Sequence, residues 1–152
     1  HFGHPSGTGL IDGKNKKSGG LTAVVSPSLT KEALWNAMNN KSTYATTGER
    51  IYLEFNINNA EMGSEISATS NPIITARVIG TNNTQNISII KYDSSGWKIV
   101  YSIEPNALFA NFSYTDAKFD ETSIYYLRVK QAGNSQDNIS QAWSSPIRVN
   151  KE

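Results

Sequence analysis

Both histidines of this 152-residue chain stand in one short stretch, His1-Phe2-Gly3-His4-Pro5, and cysteine is absent. Imidazole is the side chain whose ordinary pKa lies nearest neutrality, and it is the commonest metal-ligating nitrogen. Any histidine-based acid–base pair or metal site must therefore use this end of the chain. The lack of cysteine removes a disulfide framework, a thiolate zinc site and a thiol nucleophile together. His1 and His4 admit three readings: a tail without chemistry, a copper site, or the end of a metal-ligand motif that begins further upstream. The copper site would combine a terminal amine with the His1 ring, but it needs a second histidine remote in sequence, and His4 is too near.

A second group with chemical potential is Thr43-Tyr44-Ala45-Thr46-Thr47-Gly48-Glu49-Arg50. Its hydroxyls can cap a helix end or line a substrate cleft. Thr46, Thr47 and Arg50 are the candidate cleft or domain-joint residues, with the joint as the stronger reading. Gly48 is expected at a backbone angle that a side chain would resist. Arg50 and Arg77 are the candidates for an anionic substrate group. Trp97, Trp143 and Tyr126 are the candidates for a sugar-stacking platform. Trp97, however, opens an alternating strand with Ile99 and Tyr101 and is expected in the core, which leaves Trp143 as the better candidate for a domain contact.

The elements that must position these groups follow from composition and period. Fourteen basic and 13 acidic residues give a net charge of +1, and no long basic run is present, which speaks against a duplex nucleic-acid partner. The longest apolar stretches, Leu21–Val25 and Ala107–Ala110, fall far short of the roughly 20 residues of a bilayer-spanning helix, so membrane insertion is not expected. His1 to Gly20 holds six glycines and reads as a loop, and Leu21–Val25 as a short buried strand. The helix is expected over 29–41. Thr30 is its N-cap, Leu29 and Leu34 form a hydrophobic staple, and Glu32 and Lys41 complement its dipole. Leu34, Trp35, Ala37 and Met38 give it an apolar side, expected to dock because a bare patch would promote self-association.

From Arg50 the period changes to two. Ile51, Leu53, Phe55 and Ile57 alternate with polar or exposed positions, and similar runs follow at about 73–80, 86–93, 97–103, 108–115, 123–131 and 145–150. Turn-rich joints separate them, Asn82-Asn83 among them, and no helical crossovers intervene. The chain is therefore expected to be mainly β: a seven-stranded immunoglobulin-like antiparallel sandwich over 50–152, preceded by a Gly-rich loop and one α-helix within 1–49. Tyr125, two residues ahead of the core position Leu127, suits the tyrosine corner of such sandwiches.

The stretches Gly19–Val24, Leu29–Trp35, Thr43–Arg50, Met62-Gly63-Ser64-Glu65 and Ala142–Ile147 together resemble the C-terminal part of a large, mostly bacterial family known as a domain of unknown function. That family is similar to PHP (polymerase and histidinol phosphatase) metallohydrolases with an appended β-sandwich. The resemblance implies that residues 1–49 are the last loop and helix of the catalytic domain. It also implies that His1, with His4 behind it, is a remnant of an Asp-x-His ligand pair. By the same resemblance the parent would be a hydrolase, with phosphoesters as the expected substrate class, using a divalent Zn, Mn or Fe ion.

The other ligands of such a site lie outside this chain, so the fragment is expected to bind no metal tightly and to be inactive alone. Its partner would be the upstream catalytic domain of the same parent. The chain opens on histidine rather than methionine and reads as an excised or mature piece. The sandwich and the low charge content lean towards a secreted or envelope location. The rival reading is a carbohydrate- or protein-binding sandwich module.

Overall fold

The computed structural model describes residues 8–11, 15–18, 20–133 and 139–152. Within them the chain is mainly β with one short helix, α1 (Lys31–Asn39). Thr30 caps α1 from extended backbone, its Oγ1 accepting the Ala33 N–H at 3.2 Å. At the other end Lys41 turns left-handed, at φ 57°. The Lys41 and Ser42 N–H groups then donate back to the carbonyls of Met38 and Ala37 at 3.1 and 2.9 Å, a Schellman closure. Lys41 is thus outside the helix, and the last turn holds no basic residue to meet the dipole. The staple does not form either, because Leu29 is 93% exposed.

Before α1 lie β1 (Thr8–Ile11) and β2 (Asn15–Ser18), which pair antiparallel as a separate hairpin where a loop was expected. Next comes β3 (Leu21–Val24), followed after the helix by β4 (Thr43–Thr46), β5 (Tyr52–Ile57), β6 (Ala60–Glu61) and β7 (Glu65–Ala68). The remainder are β8 (Ile73–Asp93), β9 (Gly96–Ile103), β10 (Ala107–Thr115), β11 (Ser123–Ala132), β12 (Ile139–Ser144) and β13 (Ile147–Lys151). β3 to β13 form one eleven-stranded sheet, antiparallel except where β7 meets β13. The expected count of seven is corrected on two grounds. The runs at 73–80 and 86–93 are one strand, β8. The additional strands are β3, expected as a strand apart from the sandwich, then β4, β6 and β7, too short for period two to stand out, and β12, whose buried positions Ser140, Ala142 and Ser144 are small or polar. β3, expected to be buried, leaves Leu21 exposed.

β8 organises the molecule. Its first half pairs with β5 and β10 and its second half with β9 and β11. The open sheet therefore curls along β8 and turns both wings onto one core. Leu53, Phe55, Ile74 and Val78 come from one wing, and Ile87, Ile89, Leu127 and Val129 from the other. Where β8 passes between wings, its register against β10 jumps from Phe109↔Ile79 to Ala107↔Thr84. Gln131 of β11 holds this jog. Its Oε1 accepts the Thr81 N–H at 3.1 Å and its Nε2 donates to Thr81 Oγ1 at 2.7 Å. Asn82-Asn83 therefore marks a kink within one strand rather than a turn between two.

Trp97 is the clearest reversal. It is 61% exposed, on the outer side of β9 rather than in the core. Ile90 faces Ile99 while Ile89 faces Tyr101, so Val100 is an extra residue, a β-bulge. A bulge inverts which side chains point inward. Trp97 and Ile99 face out, and Tyr101 and Ile103 pack against the core.

Candidate functional site

The Thr43–Arg50 block is sewn into the sheet. β4 pairs with β12, matching Thr46 to Ala142, Ala45 to Trp143 and Tyr44 to Ser144, so backbone bonds cross the expected boundary at residue 49. Thr46 is buried, and its Oγ1 accepts the Gly48 N–H at 3.2 Å. Gly48 takes φ 118°, as expected. Thr47 Oγ1 accepts the Gln141 N–H at 3.0 Å, and Thr43 Oγ1 lies 3.2 Å from Ser145 Oγ. These hydroxyls stitch strands together; the helix end closes through its own backbone. Arg50 is exposed, and Arg77 lies 3.9 Å from Glu54 and over the Phe109 ring.

α1 is only half seated. Ala37 is buried and Leu34 half-buried, while Trp35 and Met38 are 61% and 48% exposed. The expected docking is therefore partial. Beside the helix run three adjoining clefts of about 390, 280 and 530 Å³ that share Ser42 and Glu61. They lie between α1, the chain entering it, and the β5–β6 hairpin. His1 and His4 lie outside the described residues.

On the outer side of the second wing, Trp97 meets the Tyr92 ring at 4.8 Å and the Tyr126 ring edge-on at 5.6 Å. Trp143 is half-buried on β12 and stands across from Arg128. The three candidate stacking residues thus share a wing, and the close ring contacts join Trp97 to the two tyrosines.

A group that the sequence reading missed sits between the edge strands β9 and β10. Lys91, Asp93 and Asp116 are buried. Lys91 Nζ lies 2.9 Å from Asp116 Oδ2 and 3.7 Å from Asp93 Oδ2, and it donates to the Lys118 carbonyl at 2.9 Å. Tyr125 Oη donates to Asp116 Oδ2 at 2.7 Å. Tyr125, expected to form a tyrosine corner, thus reaches back to a side-chain carboxylate. Burial opposes ionisation of Asp116, but hydrogen bonds from Lys91, Tyr125 and the Lys118 N–H outweigh it and hold the carboxyl low. Hydrogen bonds from Lys98 and Ser95 hold Asp93 well below the usual carboxylate range. Burial, and then the Asp116 acceptor, push Tyr125 up. The signal was present in the chain: Lys91 and Asp93 continue the inward parity of Ile87 and Ile89.

The three adjacent carboxylate and amine side chains are committed to one another. No group of three or more His, Cys, Asp or Glu able to hold a metal stands together among the described residues. None of the described helices is long and apolar enough to cross a membrane.

These features define a mainly β protein with a half-seated helix. Residues 4–82, more than half of the chain, match the family described as protein of unknown function (DUF3604), and the chain belongs to that family. An uncharacterized protein of Chlamydia pneumoniae is 35% identical, the match covering 87% of this chain and 23% of the relative. Uncharacterized proteins of Chlamydia trachomatis and Chlamydia muridarum are 33% and 34% identical with the same coverage. The chain thus spans less than a quarter of the length of these relatives. No solved structure matches it.

Proposed function

We propose that this chain is the accessory, docking part of a longer protein, an immunoglobulin-like β module whose helix packs against the remainder of its parent. One observation carries the reading: α1 and the chain entering it, inside the family-matched residues, leave Leu29, Trp35 and Met38 bare beside surface clefts. A surface of this kind marks an interaction site, and more than three quarters of each relative's length is available to cover it. By its resemblance to PHP enzymes, the parent is a metal-dependent hydrolase with phosphoesters as its substrate class. A divalent ion there would activate water and polarise the phosphoryl group. Among the described residues of this chain no donor set fits such an ion, so no step is derived through it.

Hydrogen exchange tests the docking. In a full-length relative the helix equivalent to α1 should exchange far more slowly than in the isolated chain. Equal exchange in both would remove the reading. Turnover of a phosphoester by the full-length protein with Mn²⁺, absent from the isolated chain, would support the parent chemistry.

A second reading, glycan binding by the β module, rests on the exposed Trp97 between Tyr92 and Tyr126, because aromatic faces stack on sugar rings. A soluble-glycan titration that leaves tryptophan fluorescence unchanged would count against it.

A further inference from the structure

Lys91 has 0% exposure, an extreme for a residue type that is almost never fully buried unless paired. Its amine rests 2.9 Å from one oxygen of Asp116, with the Tyr125 and Phe119 rings 5.7 and 6.0 Å away. Both oxygens of that carboxyl already hold donors: Oδ1 takes the Lys118 N–H at 3.0 Å and Oδ2 the Tyr125 hydroxyl at 2.7 Å. Two fixed donors on a carboxyl polarise it, and the one on Oδ1 is placed to hold the charge of a tetrahedral adduct. A preset amine beside it turns a bimolecular condensation into a unimolecular one.

We infer that Lys91 and Asp116 are a modification site, joined by an intramolecular isopeptide bond. A proton first passes from the Lys91 ammonium to the Asp116 carboxylate along their contact, leaving a neutral amine and a neutral acid. The Nζ lone pair then attacks Cγ; the Lys118 N–H holds the charge that collects on Oδ1, while Oδ2, beside the Tyr125 hydroxyl, carries the transferred proton. One C–O bond breaks, and its oxygen departs as water carrying a proton from the nitrogen. The products are one amide and one water, with no change of oxidation state.

The surroundings suit this condensation. Lys91, Tyr114, Asp116 and Lys118 line a cleft of about 400 Å³ through which the water can leave. Charge stays balanced as well. Asp93 remains paired with Lys98 at 2.5 Å, so no buried ion is stranded when Lys91 and Asp116 are neutralised. The bond ties β8 to the end of β10, across the open side of the curl.

Intact-mass spectrometry of the purified folded chain, followed by fragment sequencing of a digest, tests this. The chain should weigh one water less than its sequence, and the peptides carrying Lys91 and Asp116 should appear joined. Lys91→Arg, which keeps the charge but cannot form the amide, should restore the full mass. A folded chain at full sequence mass would overturn the inference. So would a missing water with the two peptides still separate, or a Lys91→Arg chain that still lacks one water.

Discussion

Thr47 and Gln141, 94 residues apart in the chain, exchange a pair of hydrogen bonds: the Thr47 N–H to the Gln141 carbonyl, and the Gln141 N–H to Thr47 Oγ1, each at 3.0 Å. This pair extends the β4–β12 ladder past its last strand residue and pins the block that follows α1 onto the sheet. Thr47→Val keeps the shape and removes the acceptor. Because the site is open to water, the loss should be about 0.5–1.5 kcal/mol, read from urea unfolding. No measurable loss would mean that the ladder backbone alone secures the joint.

The jog in β8 is built around Gly80. A Cβ there would stand 2.5 Å from the Asn82 carbonyl oxygen and 2.8 Å from Gln131 Oε1. Gly80→Ala should destabilise by about 1–3 kcal/mol through forced backbone shifts. Gln131→Ala should cost a similar amount, about 1–3 kcal/mol, by removing both of the hydrogen bonds that the buried Gln131 amide makes to Thr81. The two losses should be less than additive, because they act on one contact. Chemical denaturation of the single and double variants checks both.

Trp35→Ser with Met38→Ser should leave the isolated chain within about 0.5 kcal/mol of its starting stability, as exposed side chains do. The same pair should lower any self-association seen by sedimentation at high concentration. In a full-length relative the equivalent changes should loosen the helix. A large loss of stability in the isolated chain would mean that the two side chains are already seated.

Asp93 predicts acid sensitivity. Its folded pKa lies below the unfolded value, because Lys98 and then Ser95 hydrogen-bond the carboxylate. Such a group adds stability above its unfolded pKa of about 3.9, and that contribution is lost as the pH falls towards the folded value. The thermal midpoint should hold between about pH 5 and 7 and fall below about pH 4. Asp93→Asn should give a lower midpoint at neutral pH and a flatter acid limb. A parallel acid limb in the variant would place the sensitivity elsewhere.

Much of the local architecture was legible in the chain. Thr30 caps α1 because a hydroxyl ahead of a helical run has one nearby use, and Leu53, Phe55 and Ile57 face the core because their strand keeps strict alternation. Gly48 likewise takes the angle expected of it. The eleven-strand count was not legible, since strands as short as β6 carry too few residues to show a period. Of the site, the Thr43–Arg50 block was singled out, but its partner Gln141 could not be named.

What the sequence by itself determined was the mainly β character, the capped helix and the inward parity of β5 and β11, all properties of neighbours along the chain. Tertiary structure alone decided that β8 runs unbroken past Asn82-Asn83, that Val100 turns Trp97 outward, and that Lys91 meets Asp116. The reason is one of range. Caps and alternation depend on groups a few residues apart, whereas bulges, kinks and buried ion pairs depend on partners brought together by the fold, whose separation along the chain leaves no periodic trace.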